Sequence, residues 1–234
     1  MAVFGVILVL LAAMVVHEAG HFVLCLRLGI PVKSLHLGFP VGPMLRLRLG
    51  KYPFTVSPLL FAAAVMIDDE VMWRAPLWKR VLIFLAGPTA NFVAVAVVGI
   101  FQHGSLAGAL SGFLLVGYTA ALMIKLAGAV LGGVIPLATL GAQTVGPVGI
   151  VALGSGLVSS GAAGYFGFFA LISAWLGLTN LLPIPGLDGG QVLTNTLASL
   201  GLSRKWVNVL TYACLGMLFA FILVVTVKDV VNLF

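Results

Sequence analysis

Residues 2–26 read AVFGVILVLLAAMVVHEAGHFVLCL, an apolar run interrupted by His17-Glu18-Ala19-Gly20-His21. A bilayer span needs ~20 apolar residues, so this stretch predicts a transmembrane helix with an HExxH motif inside it. On a helix, positions i and i+4 share a face one turn apart. His17 and His21 can therefore offer two imidazoles to one ion, with Glu18 beside them to handle a proton. A carboxylate and two imidazoles are costly in hydrocarbon, and such groups mark a functional site by default. The plain alternative is an N-terminal anchor with satisfied polar residues. A cleaved signal peptide is disfavoured, because no basic residues precede the apolar core.

The rest of the chain agrees with a membrane setting. Of its 234 residues, 62% are hydrophobic and 8% charged, too apolar for a soluble core of this size. The net charge of +6 does not point to nucleic acid, because it follows the segments between spans. Arg27, Lys33, Arg46, Arg48, Lys51, Arg74, Lys79 and Arg80 lie between the first and second spans, and Arg204 and Lys205 between the third and fourth. The positive-inside rule then places both connections in the cytoplasm and both termini outside. Cys25 and Cys214 sit alone in apolar runs and read as packing residues.

The expected architecture is an all-α polytopic membrane protein, one domain over residues 1–234. It has four core spans, or six if residues 105–164 cross the membrane. The first covers 1–27. Residues 30–60 alternate polar and apolar in places, as in Leu45-Arg46-Leu47-Arg48-Leu49, the period of a strand. They predict a small re-entrant sheet of two to four strands, apolar side in the membrane. Asp68-Asp69-Glu70 reads as a solvated loop, and Trp73, Trp78, Lys79 and Arg80 as interfacial anchors. The second span covers 81–102 and carries Gly87-Pro88-Thr89-Ala90-Asn91. Asn91 has two readings, a helix–helix hydrogen bond or a substrate contact. Residues 105–164 are Gly-rich and nearly uncharged, either outer-side helices or two more spans near 106–130 and 134–160. The third span covers 165–188 and the fourth 206–228.

The third span ends in Asn180-Leu-Leu-Pro183-Ile-Pro185-Gly186-Leu-Asp188-Gly189-Gly190. Two prolines so close cannot sit in a regular helix, and broken backbone at membrane depth is tolerated only against protein or a wet cavity. Asp188 is the carboxylate needed as a third metal ligand. His17 and His21 lie ~9–15 Å from the cytoplasmic end of their helix, on the same side as Asp188. Two His and one carboxylate leave an open position, the pattern of a catalytic zinc. The ion would acidify a water and polarise a carbonyl, and Glu18 would carry the proton to the leaving amine.

HEAGH, AGPTANF and NLLPIPGLDGG, in this order, resemble the site-2 protease family of intramembrane zinc metalloproteases. The likeness is nearest to the bacterial branch of envelope-stress signalling and signal-peptide clearance. It extends to Leu77-Trp78-Lys79-Arg80, to Val145-Gly146-Pro147-Val148-Gly149-Ile150 and to Phe168–Leu178, and so covers nearly the whole chain. The resemblance implies zinc ligands His17, His21 and Asp188, Glu18 as general base, and a substrate contact at Asn180 with Pro183 and Pro185 beside it. That branch usually carries PDZ domains between the second and third spans, whereas here the interval is apolar. The expected partners are single-span membrane-protein substrates and lipid, with no nucleic acid. The expected location is the bacterial inner membrane, with the site toward the cytoplasm. Leu45 and Leu47 mark a candidate sheet edge on which an extended substrate could pair. Two rivals remain, a metal transporter or channel using the same His and Asp set, and a silent chaperone that would tolerate loss of Glu18.

Overall fold

An apolar run broken only by the HExxH motif and Arg27 forms helix α1, Ala2–Leu28. It stops at Gly29, whose φ of 73° suits glycine alone. The amide of Ile30 returns to the carbonyl of Cys25 at 2.9 Å and that of Gly29 to Leu26 at 3.4 Å, so two orphan carbonyls are satisfied as the chain leaves the helix. Lys79 Nζ donates to a third, Leu28 O, at 3.0 Å. The computed structural model describes residues 2–39, 42–133 and 146–231.

A four-stranded sheet follows: β1 (Val32–Phe39), β2 (Leu45–Leu49), β3 (Tyr52–Val56) and β4 (Leu59–Ile67). Its spatial order is β2-β3-β1-β4, so β2 and β4 are the edges. β1 runs parallel to β3 and antiparallel to β4, pairing Leu35 with Val65 and His36 with Ala64. The sheet thus extends to Ile67, beyond the expected limit at residue 60. The stretch Leu59–Ile67 is a continuous apolar run, which carries no period-two signal.

Of the expected loop Asp68-Asp69-Glu70, only Asp68 lies outside regular structure. It caps the short helix α2 (Asp69–Arg74), accepting from the amides of Glu70 and Val71. Helix α3 runs Leu77–His103 with Pro88 inside it, and α4 runs Gly108–Leu131. Glycines let these two helices close up: a Cβ on Gly99 would meet the carbonyl of Gly108, and one on Gly108 that of Gly99. Helices α5 (Pro147–Val158) and α6 (Ala162–Asn180) come next. Helix α7 spans Asp188–Ser199 and α8 Arg204–Val231.

Five of these helices, α1, α3, α4, α6 and α8, are long and apolar enough to cross a membrane. Among the described residues the count is five, neither of the even numbers, four or six, expected. Residues 106–130 do form such a helix, whereas α5 is a 12-residue helix, roughly 18 Å long and short of a ~30 Å hydrocarbon core. Residues 134–145 of the proposed partner span lie outside the described residues. The third span also differs from expectation. α6 ends at Asn180, and Asp188 opens α7 after a seven-residue break. Pro183 and Pro185 cannot supply helix amides, and proline also disfavours helical backbone in the residue before it.

The core lies between α1, α3 and α6. Val6 and Val9 of α1 pack on Val158 and Phe168, and Val95 and Val98 of α3 on Ala170 and Ala174. Cys25, Ile30, Met72 and Ile83 join α1 to α2 and α3. Arg80, read as an anchor, is instead buried and donates to Asn195 Oδ1 at 2.9 Å. It thereby ties α3 to α7. Cys25 is buried and Cys214 half-buried, both free.

Candidate metal centre

The HExxH histidines point from α1 toward α3. Their Nε2 atoms are 3.2 Å apart. Asp188 Oδ2 lies 3.0 Å from Nε2 of His17 and 3.4 Å from Nε2 of His21. Ligands ~2.0–2.1 Å from a tetrahedral zinc stand about 3.3 Å from one another, so these three spacings are those of a coordination shell. Asp188 Oδ2 is buried and makes no hydrogen bond of acceptable angle, close as the rings are. Three lone-pair atoms converge on one point, the two Nε2 atoms within hydrogen-bond distance of each other, and this donor set of two imidazoles and a carboxylate fits a divalent zinc. His17, His21 and Asp188 form a group that could hold a metal ion.

Helix α3 is shaped to admit the histidines. A Cβ on Gly87 would collide with Nε2 of both. A Cβ on Gly20 would meet the carbonyl of Ala86 and, at 2.8 Å, the Cβ of Ala90, so α1 and α3 need glycine on both sides of their contact. His21 Nδ1 donates to Ile83 O at 2.7 Å, which leaves Nε2 as the acceptor that a metal requires. Pro88 has no amide to give Phe84 O and crowds that carbonyl. The distortion falls in the turn that supplies Ile83 O.

Asp188 is delivered by the broken segment. Gly186 takes a φ of 106°, open to glycine alone among ordinary residues. Gly189 and Gly190 lie so close to the carbonyls of Leu181 and Ile184 that a Cβ on either would clash. The first turn of α7 thus packs directly onto the loop and fixes its first residue against α1.

Glu18 turns to the sheet. Its Oε2 accepts the Val65 amide of β4 at 2.9 Å. Glu18, the ligand set, Ala63, Ala64, Val65, Ile67, Ile83, Phe84, Asn180 and Gly186 line one cleft of about 300 Å³. Asn180 ends α6 and donates Nδ2 to Leu176 O at 2.9 Å. Pro183 is exposed and Pro185 half-buried in the loop beyond it. Asn91 is wholly buried, its amide 3.5 Å from His17 Nδ1. Leu45 and Leu47 are not brought to the site. They lie on β2, with β3 and β1 between them and β4. The strand that does reach the site, β4, was not among the sequence candidates.

The sequence profile described as Peptidase family M50 matches residues 5–224. The chain belongs to peptidase family M50. One relative of this M50 chain is the regulator of sigma-W protease RasP of Bacillus subtilis, 35% identical over 92 residues, 38% of this chain and 22% of that protein. Another is ARASP2 of Arabidopsis thaliana, named a probable membrane metalloprotease of the chloroplast, 40% identical over 63 residues, 27% of this chain and 14% of that protein. The M50 chain thus aligns with well under a third of the length of either.

Proposed function

We propose that this chain is a zinc-dependent endopeptidase that cuts transmembrane segments of other membrane proteins. The observation that carries the reading is the convergence of three ligand atoms and one further carboxylate on a cleft bounded by an open sheet edge. A zinc bound by His17, His21 and Asp188 would polarise the scissile carbonyl and acidify a water. Glu18 takes the proton of the attacking water as its oxygen bonds to the carbonyl carbon. It returns that proton to the amide nitrogen as the C–N bond breaks.

A helical substrate hides its carbonyls in hydrogen bonds, so it must unwind before attack. Its freed backbone groups then need partners in a low-dielectric site. β4 offers them, and the substrate edge moves from β2, where Leu45 and Leu47 lie, to β4. The amide of Val65 faces Glu18, away from β1, so by alternation those of Ala63 and Ile67 face the cleft too. An extended substrate adds there as a fifth strand, with Asn180 and Gly186 also lining the cleft.

The basic residues between α1 and α3 and ahead of α8 support a site toward the cytoplasm of a bacterial inner membrane, on the premise that the chain between α3 and α6 crosses the bilayer an even number of times. The PDZ-less form of the envelope-stress and signal-peptide-clearing branch is the nearest description. Detergent-purified protein should cleave tagged single-span proteins and lose that activity to a chelator. Glu18→Gln should keep its zinc and fall by ~10²–10⁴-fold in turnover. Near-normal cleavage by that variant would end the mechanism, and zinc-dependent ion flux in liposomes without any cleavage would favour a transporter.

A further inference from the structure

Three residues on one face of α3, Ile83, Gly87 and Asn91, follow each other at spacings of four. They lie against His17 and His21, themselves four apart on α1. Ile83 O takes the Nδ1 proton of His21, and Gly87 makes room for both Nε2 atoms. The third position has not been given a task. Asn91 is 0% exposed, and its Oδ1 is buried with no hydrogen-bond partner. Its Nδ2 faces His17 Nδ1 at 3.5 Å.

An imidazole that gives its Nε2 lone pair to a metal carries its proton on Nδ1. His17 therefore presents an N–H toward Asn91, and an amide N–H₂ facing it sets donor against donor. The separation of 3.5 Å is long for a hydrogen bond. The two ends of an Asn amide are nearly the same shape, and the hydrogen-bond network decides between them. Turning the amide over satisfies both loose ends at once: Oδ1 gains a donor, and the His17 Nδ1 proton gains an acceptor.

We infer that Asn91 presents Oδ1 to His17 and is the positioning residue that fixes the metal-binding tautomer of that ring, as Ile83 O does for His21. α3 is then the outer shell of the metal centre, with one acceptor per histidine. The bond joins α3 to α1, so it gives the helix–helix reading of Asn91 a task at the metal and leaves the substrate contact aside. The inference rests on the proposed metal centre, and its test needs no substrate.

Zinc affinity is measured by chelator competition on purified wild-type, Asn91→Leu and Asn91→Asp proteins, with folded state followed by size exclusion. Asn91→Leu should bind zinc about 10–100-fold more weakly. Asn91→Asp, which offers only acceptors, should bind at least as tightly as wild type. A purely structural role for the amide predicts the reverse order, because burying a charge harms packing more than burying a leucine. Asn91→Leu with wild-type affinity, or Asn91→Asp as weak as Asn91→Leu, overturns the assignment. If both variants fail to fold, the zinc-loaded wild type decides by histidine ¹⁵N NMR. A His17 Nδ1 proton shifted downfield, as a hydrogen bond to an acceptor requires, supports the assignment, and one at the shift of a ring N–H without an acceptor overturns it. Wild-type protein that takes up no zinc would instead remove the metal centre itself.

Discussion

Strands β2 and β4 are the two edges of one sheet, and they are built from opposite materials. β2 is Leu45-Arg46-Leu47-Arg48-Leu49, every residue exposed. β4 is Leu-Leu-Phe-Ala-Ala-Ala-Val-Met-Ile, with no charge along it. An open edge invites another strand, and charged side chains are one of the ordinary protections against it. β2 carries that protection. Its leucines sit on one face and its arginines on the other, which suits a hairpin lying at a lipid headgroup layer. β4 carries none, and its small Ala63 and Ala64 line the cleft. Under the proposed function the guest strand belongs on β4, the edge that charge does not guard and that reaches the candidate metal group.

The strongest way to break this comparison is to remove the metal while sparing both strands. Gly87→Ala should do so, since a methyl there overlaps Nε2 of both histidines. Zinc affinity should fall at least ~10-fold, the lower bound for disturbing ligand orientation, and cleavage should fall with it. Retained zinc would mean that α1 and α3 part more easily than their packing implies.

Proline substitution compares the edges directly, because it deletes the amide a guest strand would use. Proline at Ala63, Val65 or Ile67 should lower cleavage by about 10–100-fold with zinc content unchanged. Proline at Leu45 or Leu47 should change turnover by no more than about twofold, whatever it does to yield. Val65 should be the most sensitive, since its amide also holds Glu18 and misplacing a general base costs ~10²-fold or more. Larger losses on β2 than on β4 would return the substrate to the far edge.

The smallest effect concerns how β4 is tied down. Asp68 follows it directly, capping α2 and pairing with Lys33 of β1 at 3.2 Å. The Val71 amide, and then Lys33, hold its carboxyl below the ordinary range. A depressed carboxylate contributes stability above its unfolded pKa and loses it as pH falls toward the folded value. Amides at the Ile67 end of β4 should therefore lose hydrogen-exchange protection below about pH 4, slightly, because Asp68 is solvent-screened. Those of β2 should not respond. Asp68→Asn should abolish the pH dependence.

The contrast also shows what the sequence could display. HExxH, Gly87-Pro88 and Asp188 were legible because each breaks an apolar background: polar groups or helix breakers at membrane depth need a reason. β2 was legible for the same reason, its arginines marking every second position. β4 was not, since Leu59–Ile67 is apolar throughout and a continuous run fits helix or strand alike. Its place depends on pairing with β1, a long-range fact. The start of α7 at Asp188 was hidden in a similar way. Glycines at 189 and 190 suit close packing or a tight turn alike, and only the carbonyls of Leu181 and Ile184 against them show that it is packing, at the start of a helix. Arg80 looked like a surface anchor because its partner Asn195 lies 115 positions on.

Two of the three ligand residues lie near the start of the chain, and the third stands on a short helix that a broken loop delivers late. Whatever ion they share closes the chain between His21 and Asp188 into a ring, and long rings are where such a clip constrains the open ensemble most. Occupancy is thus wired to durability. At a free zinc level 100 times the dissociation constant, the folded form gains about 2.7 kcal/mol over one that cannot bind. On the proposed zinc site, shortage of the metal would lower the protein's stability as well as its activity.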